Sequence, residues 1–96
     1  MLDGGFGEVK EVDEDVKILA YNMKEKVENA LGETFDVYEP VLYTSQIVAG
    51  TNYKIKIHVG NERYIHITIY EPLPIYNNPN ELLEWESDKT LFDPLL

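Results

Sequence analysis

The chain has 96 residues, 44% of them hydrophobic, with seven Tyr, three Phe and one Trp, and it carries no cysteine. That is enough for one domain with a thin core, since folding at this size buries only about two-thirds of the surface the unfolded chain exposes, and no disulfide is available to staple it. Eighteen acidic against eight basic residues give a formal charge of -10, which excludes a basic stripe for nucleic acid or for an anionic membrane surface and fits solubility or steering toward a basic partner.

Residues 1–12 place Asp3, Gly4, Gly5 and Gly7 among the first seven positions and hold no sustained period, which predicts a flexible N-terminal arm. The start lacks a basic stretch followed by an apolar run, and no stretch approaches the ~20 apolar residues of a membrane span. Neither a secretory signal nor a membrane segment is expected, and the cytoplasm is the expected compartment.

From Asp13 the pattern changes. Val16, Leu19, Ala20, Met23, Val27, Ala30 and Leu31 recur at steps of three and four, which predicts one helix with an apolar stripe, capped by Asp13 and ended by Gly32. Asp13, Glu14 and Asp15 favour the positive end of its dipole.

After Gly32 the period falls to two. Val41, Tyr43, Ser45 and Ile47 alternate with Leu42, Thr44 and Gln46, and Pro40 marks a break, bulge or edge near the start of that strand. Gly50 marks a turn. Tyr53, Ile55, Ile57 and Val59 then lie on one face and Asn52, Lys54, Lys56 and His58 on the other, as in a half-buried antiparallel strand. A third run sets Ile65, Ile67 and Ile69 against Tyr64, His66, Thr68 and Tyr70. The apolar faces of these two runs coincide if Gly60-Asn61-Glu62 forms the loop, which puts His58 opposite Tyr64 and His66 opposite Lys56. Pro72, Pro74 and Pro79 with Asn77, Asn78 and Asn80 predict a loop, and residues 82–90, with Trp85, a last strand. The whole is a single α+β domain, 1–96: one long helix packed on a four- to five-stranded antiparallel sheet.

Catalysis finds no home in this pattern. His58 and His66 fall on the polar face without a carboxylate at ligand spacing, so both are expected to be ordinary exposed histidines and no metal site is predicted. The acidic cluster at Glu8, Glu11, Asp13, Glu14 and Asp15 is accounted for by solvation and helix capping. Three segments stay unexplained by folding alone: Gly4-Gly5 in the arm, Ile47-Val48-Ala49-Gly50 at a hairpin tip, and Leu73-Pro74-Ile75 in a loop. Apolar side chains at two turns either tuck under their own sheet or form a contact surface.

At these three places the sequence resembles the cystatin superfamily, and specifically its stefin branch. The stretch at residues 46–60, QIVAGTNYKIKIHVG, looks like the family's first-hairpin signature, Gln-x-Val-x-Gly, extended by the Thr-Asn-Tyr typical of stefins. Arm glycines, a single helix, the signature hairpin, an isoleucine-rich strand and the Leu73-Pro74 loop come in the stefin order along essentially the whole chain. The resemblance implies a reversible, tight-binding competitive inhibitor of papain-like cysteine proteases, with no enzymatic activity and no cofactor. Its protease-binding wedge would be Gly4 and Gly5 of the arm, the first loop Gln46, Ile47, Val48, Ala49 and Gly50, and Leu73 and Pro74 of the second. A non-inhibitory binding or structural module on the same fold is the alternative. The family's residue before the first arm glycine enters a pocket that is usually apolar; here it is Asp3, so the loops are expected to carry more of the binding than the arm. A papain-like protease is thus the implied partner, with a monomer expected and a domain-swapped dimer, exchanged through the first hairpin, as the alternative.

Overall fold

A computed structural model describes residues 5–96; Gly4 and the three residues before it lie outside the described residues. The elements run β1 (Lys10–Glu11), α1 (Glu14–Asn22), α2 (Lys24–Leu31), β2 (Glu39–Val48), β3 (Gly50–His58), β4 (Tyr64–Pro72), a 3-10 turn (Pro74–Tyr76) and β5 (Glu81–Lys89). The five strands form one antiparallel sheet in the order β1-β2-β3-β4-β5, with the helices on one face. This is the α+β architecture that the alternating periods predict. Two residues at the end of the stretch read as an arm, Lys10 and Glu11, pair with Tyr43 and Leu42 as β1; a strand of two residues has no period to read.

The core is the meeting of two stripes. Val16, Leu19, Ala20, Met23 and Val27 from the helices pack on Tyr43, Ile55, Ile57, Ile65, Ile67 and Ile69 from the sheet, with Phe35 and Tyr38 closing one side. Each of the five isoleucines is essentially fully buried, worth roughly 1.5–3 kcal/mol apiece. Leu31 is only partly buried and Ala30 is exposed, so the stripe ends at Val27.

The cap at Asp13 is formed: its Oδ1 accepts from the Val16 N–H at 2.9 Å. Gly32, at φ 70°, ends α2 in the left-handed conformation. Between them the expected single helix is divided at Met23. The Met23 N–H donates to the Ala20 carbonyl three residues back, at 3.1 Å, and the buried Tyr38 hydroxyl donates to the same oxygen at 2.9 Å. That second donor, from the connection between α2 and β2, accompanies the tightened turn.

The register follows the apolar pattern. Ile55 faces Ile67, Ile57 faces Ile65, Lys56 faces His66 and His58 faces Tyr64. The loop of Gly60, Asn61 and Glu62 has positive φ throughout, and Val59 N–H donates to the Arg63 carbonyl at 2.9 Å to close it. The break expected near Pro40 is a register shift between Pro40 and Leu42.

One expectation fails on the outer face of the sheet. His66 is only 5% exposed and Lys56 only 3%, because residues 91–96 fold back across them. The Lys56 ammonium donates to the carbonyls of Leu91, at 2.6 Å, and Asp93, at 2.7 Å, and Leu95 is buried beyond them. His66 is therefore a buried histidine, not an exposed one. Its Nε2 has no hydrogen-bond partner, and burial, with the charge of Lys56 next, lowers its pKa to about 4.

Candidate functional site

The sheet's topology brings the unexplained segments to one end. The C-terminal end of β2, the N-terminal end of β3, the C-terminal end of β4 and the N-terminal end of β5 all lie on the same side, and so does the chain leading into β1. Gly7 continues the line of β1 along β2: its N–H donates to the Ser45 carbonyl at 3.0 Å, and its own carbonyl accepts from Thr44 Oγ1 at 2.7 Å. Gly5, exposed and with nothing near the place a Cβ would occupy, lies two residues further toward that end. Gly4 lies outside the described residues.

The first hairpin is tight. Val48 pairs with Gly50, so only Ala49 is left outside the strands. Ile47 is 75% exposed, and Val48 and Ala49 also stand in solvent at the tip. The two apolar side chains do not tuck under the sheet; they are held outward on a short, fully paired ribbon. Gln46, at the base, accepts from Asn52 Nδ2 at 3.0 Å across the two strands.

Gly50 is where this hairpin meets the next strand. It is buried at φ 121°, a region L side chains rarely enter, and pairs with Pro72 at the end of β4. A Cβ there would stand 2.5 Å from the Glu71 carbonyl oxygen and 2.9 Å from Tyr70 Cε1. The glycine thus serves close packing as well as the turn.

Pro72 leads directly into the second loop. Leu73 is exposed, and the 3-10 turn that follows holds Ile75 at 84% exposure with Tyr76 also in solvent. Nearby, Tyr53 Oη and Glu71 Oε1 are 3.5 Å apart; burial first and the Glu71 charge next raise the Tyr53 phenol's pKa. Among the described residues, no group of three or more His, Cys, Asp or Glu side chains is gathered as for a metal ion.

A family model described as the cystatin domain matches residues 4–91. The chain belongs to the cystatin family. Its relatives include stefins of the cystatin A and B types. It is 39% identical over 95 residues to Cystatin-A8 of Sus scrofa, covering 99% of this chain and 92% of the relative. It is 38% identical over 95 residues to the Leukocyte cysteine proteinase inhibitor 1 of the same animal, with the same coverage. To Cystatin-B of Oplegnathus fasciatus it is 39% identical over 95 residues, covering 99% and 95%.

Within this cystatin fold, the structure brings together Gln46, Ile47, Val48, Ala49, Gly50, Leu73 and Pro74 at one end of the sheet, with Gly5 approaching from the side of β2. Sequence reasoning left out Tyr70 and Tyr76. Tyr76 was within reach, as an aromatic in a predicted loop. Tyr70 was not, because its partner is a backbone carbonyl in the turn at the end of the neighbouring strand, 21 residues earlier in the chain.

Proposed function

We propose that this chain is a reversible, tight-binding competitive inhibitor of papain-like cysteine proteases, and that its wedge comprises Gly4, Gly5, Gln46, Ile47, Val48, Ala49, Gly50, Leu73 and Pro74. The observation that carries the reading is the pair of adjacent tips, Ile47 and Val48 on one and Leu73 with Pro74 on the next, exposed at the same end of one sheet. The pig relative named as a leukocyte cysteine proteinase inhibitor supports the same class of target.

The chemistry suits blockade. A cysteine protease acts on a carbonyl held close to its thiolate in a productive pose, so an occupant that fills the cleft without offering such a carbonyl stops turnover. The hairpin is preformed by paired strands, so docking orders little new backbone. Burying a side chain such as Ile47 at an apolar cleft contributes roughly 1.5–3 kcal/mol before the costs of association. Glycines at positions 4 and 5 let the arm pass close to the enzyme without a Cβ.

The test is titration of papain with the purified protein against a fluorogenic peptide. Competitive inhibition well below micromolar protein is expected, and Val48→Asp should weaken it by at least tenfold. Absence of inhibition at micromolar protein refutes the reading and leaves a non-inhibitory module on the cystatin fold. Asp3→Ala should tighten binding to an enzyme whose matching pocket is apolar. We read the monomer as the inhibitory species and the cytoplasm as its compartment; size-exclusion fractions assayed separately test the first, since a swapped dimer would carry its hairpin opened into the partner.

A further inference from the structure

We propose that Tyr70 is the positioning residue of the first hairpin, tying the direction of the Ile47–Val48 tip to the strand that carries the second loop. The inference rests on the inhibitory reading for its consequence, and on geometry for its substance.

The Ala49 carbonyl sits in the turn between β2 and β3, where no strand can offer it a partner. Tyr70 supplies one: its hydroxyl donates to that oxygen. The ring lies against the backbone of the next residue, since a Cβ built on Gly50 would fall 2.9 Å from Tyr70 Cε1 and 3.0 Å from Oη. In the ladder Tyr70 faces Asn52, so its side chain reaches beyond its own register position to the tip. The residue before it on the same face, Thr68, behaves differently: its hydroxyl bonds sideways to Glu84 Oε1, at 3.3 Å, within the sheet.

β3 is laddered to β4 as far as Gly50 opposite Pro72, so only the Ala49 turn beyond it is left for something outside the hairpin to fix. Here that something comes from β4, two residues before Pro72 and three before Leu73. One side chain therefore couples the first tip to the second loop, and both can enter a cleft without either having to be reoriented. An inhibitor whose binding-competent shape is only partly populated binds more weakly in proportion, so loss of the tie appears as weaker inhibition and slower association.

The experiment is Tyr70→Phe, which keeps the ring and deletes only the donor. Three readouts are taken on the full chain: the papain inhibition constant, thermal unfolding, and the amide exchange and carbonyl shift of residues 47–50 by NMR. The expected result is a rise in inhibition constant of about 3- to 10-fold, carried by slower association, as follows from losing one hydrogen bond that holds the free tip. Faster exchange and a shifted Ala49 carbonyl should accompany it, with the signals of the isoleucine core unmoved. The proposal is overturned if wild type inhibits and Tyr70→Phe inhibits equally. It is also overturned if the variant weakens only in step with global unfolding while the 47–50 signals stay as in wild type. If wild type itself fails to inhibit, the functional reading falls, and the NMR comparison alone decides the tie: changed hairpin signals support it and unchanged ones overturn it.

Discussion

Replacing the buried His66 by glutamine should remove a large part of the protein's sensitivity to acid. His66 lies beneath residues 91–96, with Lys56 opposite it on β3, Lys89 and Glu86 on β5, and Asp93 in the tail. Burial comes first and the two lysines next in disfavouring the imidazolium, outweighing Glu86 and Asp93, and the pKa falls to about 4 from 6.5. Because the folded state binds the proton less readily than the unfolded one, the stability linked to this group is present in full above pH 6.5 and lost as pH falls toward 4. At about 1.4 kcal/mol for each pH unit of that interval, the loss reaches about 3 kcal/mol, of which roughly 2.5 has gone by pH 4.5.

For a domain that is stable by only ~5–15 kcal/mol, such a change is easily read. Each kcal/mol corresponds to ~4–8 °C in a chain of this size, so His66 alone should lower the melting temperature by about 10–20 °C between pH 7.5 and 4.5. The assay is thermal and urea unfolding of wild type and His66→Gln across that range, the difference between the two curves cancelling the carboxylates common to both. His66→Gln should show the shallower dependence, and the His66 imidazole should remain neutral by NMR at pH 5. Parallel curves, or an imidazole that titrates near 6.5, would refute the burial argument.

Lys56→Met keeps the length of the side chain but removes the donor shared by the Leu91 and Asp93 carbonyls, so amide exchange across residues 91–95 should accelerate. The same change deletes a cation that lowers the His66 pKa, which should therefore rise toward 6.5. Gly50→Ala meets both a strained φ and the Glu71 carbonyl, and should cost about 1–3 kcal/mol by urea unfolding together with at least tenfold in papain inhibition; Gly5→Ala, in open space, should leave stability unchanged. Tyr38→Phe removes one of the two donors to the buried Ala20 carbonyl, leaving the Met23 N–H, and should lower stability by about 1 kcal/mol without altering inhibition; in the wild type burial, followed by the Glu28 charge, keeps that phenol protonated as a donor.

What was legible in the sequence is what repeats. Alternate isoleucines, at 55 and 57 and again at 65, 67 and 69, specify an inner face, and once both faces must coincide the three-residue loop at 60–62 fixes the register. The signature at 46–50 was legible in a different way, through resemblance, because its apolar tip is equally compatible with a side chain tucked inward. What was not legible depends on single long-range contacts. Nothing in Asn22-Met23-Lys24 announces a division of the helix; the Tyr38 hydroxyl that meets Ala20 lies 18 residues away. His66 and Lys56 alternate as polar residues should, and only the return of the chain from β5, 35 residues beyond Lys56, turns a polar face into a buried one. The Tyr70 tie spans 21 residues to a turn that no strand pairs.

The placement of these features separates stability from the proposed recognition. Gln46, Ile47, Val48, Ala49, Gly50, Leu73 and Pro74 include no ionisable side chain, whereas His66, a group that burial perturbs strongly, sits in β4 under the tail. Protonating His66 strains the outer face of the sheet and the tail that covers it, and leaves the apolar tips as they were. Acid should therefore reduce the folded fraction before it changes how the folded protein binds. The off-rate from a protease that is itself insensitive to pH should stay constant while the active concentration declines along the unfolding curve. Tyr70 behaves in the opposite sense: its hydroxyl acts on the tip and on little else, so Tyr70→Phe should alter the inhibition constant at constant stability. If the two variants instead moved both quantities together, the loops and the outer face would form one cooperative unit, and the geometry of Gly50 packed between Tyr70 and the Glu71 carbonyl would be the place where they join.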